Sequence, residues 1–414
     1  MQTGTTQGPL AGYRVLELGS TVAGPFCGRL FADFGAEVIK IEPLEGDGIR
    51  AAGRHHRGKS LYAASILRNK NLVALDLRTP QGQAITRKLA AKSDIVIENF
   101  RPGGLEKWNL GYSHLAAVRP DIIMVRISGF GQTGPYSKRP GYGVIAEAAS
   151  GLRHLTGDPD RPPARVSIAL TDYITGLYAA LGAMMALNYR ERTGRGQCID
   201  AALAECAFSL LEPHVPAFDK LSIVANRTGS GLAGSAPNNL YPTKDGSFIH
   251  IQAAQNPVFK RFAQAIGRPE LLEDSRFANA LARGKHPDDI DAIVTAWTES
   301  NEIAHIERVL ADADVPAARI NTVADIFADQ QFKARDMIVE TPDDELGSVK
   351  LTGCVPKLSL TPGRIKRSGG TIGRDTRDVL AGLAGLTPEE IEQLARAKVV
   401  LCASAADQQR DPVQ

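Results

Sequence analysis

The strongest constraint on the fold is the regular alternation of short apolar runs with amphipathic stretches between residues 11 and about 215. From Tyr13 the chain reads as a strand (YRVLEL), Gly19, a helix over roughly Ala23–Phe34, Gly35 and a second strand (EVIKIE). That spacing is a βαβ unit, which brings its two strands side by side and parallel. VALDL (Val73–Leu77) reads as another strand, TPQGQAITRKLAAK opens with a Thr-Pro helix start, and DIVIENF (Asp94–Phe100) is the strand after it. LGYSHLAAVRP and DIIMVRISGF repeat the cycle. The expected class is α/β, an open parallel Rossmann-like sheet over 1–220, completed by 336–414, with a second, smaller α+β domain over 225–335.

Within that smaller domain GSFIHIQ and VPAARI read as strands and NPVFKRFAQAIG as a helix. It is entered through the glycine-rich stretch Asn226–Tyr241, readable as a mobile loop or as a plain linker. Further on, VKLTGCVPKLSLTP is strand-like, LTPEEIEQLARAKVV is a helix with a Thr-Pro start, and Ala403–Gln414 is a polar tail expected to be disordered.

The loop after the first strand is GSTVAGP rather than GxGxxG, and no GxxxxGK[ST] occurs, so nicotinamide and phosphate-loop chemistry are disfavoured. Ligands of open α/β sheets settle at the carboxyl ends of the strands. Here those ends are Gly19–Pro25, Glu42–Gly48, Asn99–Gly103 and Gly129–Pro135, expected to form one mouth.

The 414 residues carry a formal charge of +2, and the longest basic tract is Arg54-His55-His56-Arg57, so nucleic acid is not an expected partner. The five cysteines are scattered without a CxxC, which suggests neither disulfides nor zinc and fits a reducing cytoplasm. The eight histidines show no HxxxH or HExxH spacing, so no metal is expected. No signal or transit segment is expected at the N-terminus. The longest apolar run, around Leu177–Leu187, falls short of the ~20 residues that span a bilayer, so no membrane crossing is expected either.

One acidic residue stands out. In Ser167–Gln197, Asp172 precedes Ile174, Leu177, Leu181 and Met184–Met185, a pattern that reads as a helix buried on nearly all sides. A carboxylate at its mouth is either an N-cap or a pre-organised nucleophile.

Several stretches in order decide between these. RVLELGSTVAGPFCGRLFADFGAEVIKIEP, NKNLVALDLRTPQG, IVIENFRPGGLEKWNLGY, ISGFGQTGPY, LTDYITGLYAALGAMMALNYRERTGRGQCIDAAL and APNNLYPTKDG resemble the class III CoA-transferases, the family of formyl-CoA transferase, which is related to the α-methylacyl-CoA racemases. The resemblance covers most of 13–246, with an echo in Ile372–Leu383. It implies that Asp172 is the catalytic aspartate, attacking an acyl-CoA thioester and carrying CoA as an aspartyl thioester. It implies CoA contacts from Val22 and Ala23 at the thiol end, Leu75 and Arg78 at adenine and phosphates, and Asn99, Phe100 and Lys107 around the nucleotide. Arg139 is a further phosphate contact. A plain surface role for Arg78 and Lys107 stays open.

The substrate pocket implied by the family takes in Tyr62, Tyr142, the loop carrying Gly229 and Gly231, and the tract with His55, whose positive charge suits a dicarboxylate such as succinate. The glycine loop is a lid or a linker. Tyr142 stands where the racemase branch has a histidine base, and a tyrosine with an ordinary pKa near ~10 is a poor base at neutral pH, which favours transfer over racemisation. His154 is expected to be a surface or structural residue. No permanently bound cofactor is implied; a CoA thioester is substrate, a carboxylic acid is acceptor, and the assembly is an interlocked homodimer. A racemase, or a non-catalytic CoA-binding homologue, is the competing reading.

Overall fold

The computed structural model describes residues 8–403, so the polar tail falls outside the described residues apart from Ala403. The apolar runs form six parallel strands, β1 (Arg14–Glu17), β2 (Glu37–Glu42), β3 (Asn71–Leu75), β4 (Ile95–Glu98), β5 (Ile123–Ser128) and β6 (Cys198–Ala202). A seventh, β7 (Val400–Leu401), returns from the far end of the chain and pairs antiparallel with β3. The sheet order is β7-β3-β2-β1-β4-β5-β6. Chain direction across the sheet therefore reverses between β1 and β4, the point where doubly wound sheets open a crevice at their carboxyl ends.

Alternate residues of each strand feed two cores. Val15, Ile95, Ile97 and Val125 pack with Phe31 of α1 (Ala23–Asp33) on one face. Leu16, Val96 and Met124 pack on the other with Leu89 of α2 (Pro80–Ala91) and Leu115 of α3 (Tyr112–Val118). Helix α2 starts where the Thr-Pro signal puts it: the Thr79 side chain accepts from Gly82 N–H, and Pro80 fills a first-turn position. Downstream, α4 (Gly143–Ala149) and the 24-residue α5 (Leu170–Thr193) follow β5.

Helix α5 departs from expectation. Only its small-residue face is buried, through Thr171, Thr175, Gly176, Ala179, Ala183 and Ala186 with Leu187 and Arg190. Leu177, Leu181 and Met185 are 53%, 51% and 62% exposed. The reason is contact distance: small side chains let α5 approach α1 and the sheet closely, and the bulky ones are left outside. By length and composition, with a mean hydropathy of 1.2 over an 18-residue window, α5 is also long and apolar enough to cross a membrane, which the apolar run alone did not suggest.

The chain divides into two compact units, one running to Leu152 and including Ser167–Val215 and the chain from Gln331, the other Arg153–Val166 with Pro216–Gln330. The segment 153–166, which the sequence assigned to the larger domain, thus belongs to the smaller unit. The cause is local: Arg227 donates to the carbonyls of His154 and Asp158, and Gly229 N–H to that of Gly157. The smaller unit holds a three-stranded antiparallel sheet, Asn238–Pro242, Phe248–Gln252 and Ala317–Arg319, packed by Phe259, Phe262 and Ile306. Of VKLTGCVPKLSLTP, only the part within Gly347–Thr352 is strand, because Pro356 and Pro362 cannot donate to a ladder. The RHHR tract is the exposed side of a short hairpin, His55–His56 against the buried Lys59–Ser60.

Candidate active site

The site is built where direction reverses, by the loops after β1 and β4. Asn99, just past β4, grips the first loop at one residue: its Oδ1 accepts from Ser20 N–H at 2.7 Å and its Nδ2 donates to Ser20 O at 2.8 Å. One residue on, Thr21 has φ +70°. A β-branched residue in the left-handed region is strained by about 1–3 kcal/mol and persists only where its surroundings hold it. Asp47 Oδ1 accepts from Thr21 N–H at 2.9 Å and from Ile49 N–H at 2.9 Å, while Lys40 donates to the carbonyl of Gly19.

Beneath this turn lies a cluster of buried charge. Lys40, Lys70 and Glu17 have no exposed surface, with Lys40 2.7 Å from Asp47 and 3.4 Å from Glu17, and Lys70 2.7 Å from Glu17 and donating to Pro25 O. Burial alone would raise the Asp47 carboxyl; the Lys40 ammonium and the N–H donors of Ile49 and Thr21 outweigh it and hold it at about 2. Burial lowers the Lys70 ammonium, offset in part by Glu17.

The facing wall is the first turn of α5. Its N-cap is Ala169, so Asp172 is not the cap residue; it stands one turn in, half-buried, where the helix dipole favours a carboxylate. Two glycines make this position reachable. A Cβ on Gly143 would overlap the Asp172 carboxylate, and one on Gly176 would come within 2.7 Å of Phe26 and 3.0 Å of Ala23 O, so α5 packs directly on the start of α1. Tyr173 stands edge-on to Phe26, with centroids 4.8 Å apart, and meets the Tyr62 hydroxyl at 2.8 Å. Burial, that hydrogen bond and the Asp172 charge all keep the Tyr62 phenol protonated.

Between the walls is a cavity of about 230 Å³ lined by Ser20–Ala23, Asn99–Pro102, Arg139–Tyr142 and Asp172. Helix α1 enters it through Val22 with no side-chain cap, leaving first-turn N–H groups for whatever binds. A second cavity of about 250 Å³ shares Ser20 and Phe100 with the first and is lined by Leu18, Ile41, Leu75, Arg78 and Trp108. Its mainly apolar wall, with Trp108 edge-on to Phe100 at 5.5 Å, suits a flat ring system.

Nine of the residues expected to act are thus gathered: Val22, Ala23, Asn99, Phe100, Arg139, Tyr142 and Asp172 around the first cavity, Leu75 and Arg78 with Phe100 around the second. Arg139 lies 3.6 Å over the Tyr136 ring, and Arg78 pairs with Asp76 at 2.8 Å. Tyr142 is 72% exposed at the cavity rim. Asn99 borders the Asp172 cavity and not the ring-sized one, with its amide engaged by the Ser20 backbone. Lys107 and His55 are exposed and line neither cavity; His55 is bonded to Arg50 O at 3.0 Å. Tyr62 lines neither cavity; it is hydrogen-bonded to Tyr173 and feels the Asp172 charge. Gly229 and Gly231 belong to the smaller unit, in a turn closed by Gly231 N–H to Thr228 O and tied to Gly157. His154 is exposed.

Sequence reasoning missed Arg101, Trp108, Gly143 and the Lys40–Asp47 cluster. FRPG sits inside a recognised stretch, which could have drawn attention to Arg101; the buried charges left no such signal. Among the described residues no group of three or more His, Cys, Asp or Glu could hold a metal ion.

Comparison with known proteins follows this geometry. Residues 10–376 match CoA-transferase family III. The chain is 44% identical over 394 residues to succinyl-CoA--D-citramalate CoA-transferase of Chloroflexus aurantiacus, covering 95% of this chain and 98% of that one. It is 42% identical to the beta subunit of succinyl-CoA--L-malate CoA-transferase of the same organism, covering 96% and 99%. Among solved structures, a CAIB/BAIF family protein from Brucella suis superposes with a TM-score of 0.81 at 35% identity, over 91% of this chain and 100% of that one.

Proposed function

Since this chain belongs to CoA-transferase family III and is an enzyme that transfers CoA, we propose that it moves CoA from an acyl-CoA such as succinyl-CoA to a dicarboxylic acid through covalent intermediates on Asp172. The observation that carries the reading is the placement of the Asp172 carboxylate in a small cavity that shares Ser20 and Phe100 with a second, ring-sized one. A nucleotide in the second cavity and a thioester in the first is the arrangement that a CoA substrate requires.

The chemistry divides one difficult exchange into easier steps. A carboxylate oxygen of Asp172 attacks the thioester carbon; the C–S bond breaks, CoA thiolate leaves, and a mixed anhydride forms. The thiolate then attacks Cγ of Asp172, releasing the donor acid and leaving an aspartyl-CoA thioester. The acceptor carboxylate attacks that thioester to give a second anhydride and free thiolate, which takes the acceptor's acyl carbon and restores Asp172. Negative charge develops on oxygen and sulfur throughout, and the uncapped N–H groups at the start of α1 are donors suited to it. Tyr142, at the rim in the position where the family's racemases carry a histidine base, supports transfer over racemisation.

The relatives named for D-citramalate and L-malate support a dicarboxylate acceptor. Arg101 and Arg139 in the cavity are suited to phosphate or to a second carboxylate. An acid panel with succinyl-CoA and acetyl-CoA as donors tests this: four- and five-carbon dicarboxylates should be the best acceptors, and a preference for long monocarboxylates would contradict the reading.

We also place the protein in an interlocked homodimer in a reducing cytoplasm. The exposed apolar face of α5 supports the first, and five free cysteines are compatible with the second. Light scattering at micromolar concentration should give twice the mass of one chain, and a monomer would contradict the dimer.

A further inference from the structure

The turn that faces Asp172 has more anchors than a surface loop needs. Gly19 O is taken by Lys40, both backbone groups of Ser20 by Asn99, and Thr21 N–H by Asp47. The anchoring groups come from β2, from the loop after it and from the end of β4, so three separate elements converge on three successive residues. Two of these anchors are ionised side chains paired at 2.7 Å, one wholly and one almost wholly shielded from water. Their location is costly, since ions taken out of water lose hydration that a single pairing barely returns. The cluster extends past the pair: Lys40 also faces Glu17, Glu17 faces Lys70, and Asp47 N–H donates to Glu42, itself paired with Arg50.

What the cluster holds is a threonine at φ +70°, immediately before the uncapped start of α1. Left to itself a threonine would turn to negative φ, and the N–H groups of Val22 and Ala23 would swing away from the cavity that contains Asp172.

We infer that Lys40 and Asp47 are positioning residues for CoA transfer, acting through the strained Thr21 backbone to aim the start of α1 at the thioester on Asp172. They touch no reacting atom. They fix a wall that must stay within a fraction of an ångström, the scale on which misplacement costs rate. Lys40 and Asp47 line neither cavity, and beside Gly19 and Ser20 of the turn the second is walled by Leu18, Ile41, Leu75 and Trp108, so their loss should slow the chemistry more than it weakens binding of the CoA thioester.

The inference rests on the CoA-transfer reading, and the test separates the two: a wild-type protein without transfer activity would sink that reading, whereas the cycle below addresses only the positioning. Asp47→Asn keeps a side-chain oxygen for Thr21 N–H but removes the charge that binds Lys40. Thr21→Gly removes the strain, because glycine adopts φ +70° freely. Steady-state kcat and the KM for CoA, supplied as its succinyl thioester, are measured for both single variants and the double variant. Asp47→Asn should lower kcat by about tenfold or more with the KM for CoA within about threefold. In the Thr21→Gly background the same change should cost less than about threefold, because the anchor is no longer holding strain. If Asp47→Asn alone does not fold, a soluble, active double variant supports the inference and an insoluble one overturns it. Equal losses of kcat in both backgrounds, or a loss confined to the KM for CoA, would also overturn it.

Discussion

The two walls of the Asp172 cavity are held by opposite means. The α5 wall is held by shape: Gly176 lies against Phe26 and the Ala23 carbonyl, and Ala179, Ala183 and Ala186 continue the contact into the core. Closeness there is set by the smallness of the side chains. The Gly19–Val22 wall is held by charge, with buried Lys40, Glu17, Lys70 and Asp47 beneath it. A wall held by shape should tolerate acid and resist any added volume. A wall held by charge should weaken as its carboxylates are protonated.

Added volume on the α5 side is the severest test. Gly176→Leu has no room against α1 and should destabilise the protein by about 3 kcal/mol or more, read as a fall in Tm of several degrees or as insoluble expression. A melting curve like the wild type's would show that the helix can shift, and that shape does not hold this wall.

Acid should strike the other wall. The Asp47 carboxyl is held at about 2 against an ordinary value of 3.8, so its stabilising contribution is present above about pH 4 and is lost as pH falls through about 2. The contribution is about 2 kcal/mol. Asp47→Asn should therefore lower stability near neutrality and flatten its acid dependence in this range, as followed by denaturant melts at stepped pH. An unchanged dependence would remove Asp47 from the acid response.

The smallest effect belongs to the outer face of α5, which shares the helix but not the packing. Met185→Lys, at a position 62% exposed, should change the stability of a single chain by less than about 0.5 kcal/mol. In the proposed homodimer it should lower the dimer mass seen by light scattering, and an unchanged dimer mass would show that a second copy does not cover this face.

These contrasts also explain which parts of the molecule were legible in the sequence. Strands and carboxyl-end loops were, because alternation and glycine breaks are local signals. The order of the strands was not, since no local signal says that β1 and β4 are neighbours. EVIKIE reads as a strand, but its pattern does not say that Lys40 and Glu42 are fully buried: a sheet covered on both sides has no solvent face, and the charges find each other across loops. The outer face of α5 failed for the mirror-image reason: large apolar residues look like core, but the core took the small ones. Asp172 and the residues at the strand ends were found through family resemblance, while Gly143 and the Tyr62–Tyr173 contact depend on distances that only folding creates.

The central claim is that Asp172 becomes covalently attached to acyl or CoA groups during transfer. Protein incubated with succinyl-CoA and treated with borohydride or hydroxylamine, then digested and analysed by mass spectrometry, reports this directly. The modified side chain should be Asp172, with no modification and no transfer in Asp172→Ala. Transfer that persists in that variant, or a trapped adduct on any other residue, would contradict it.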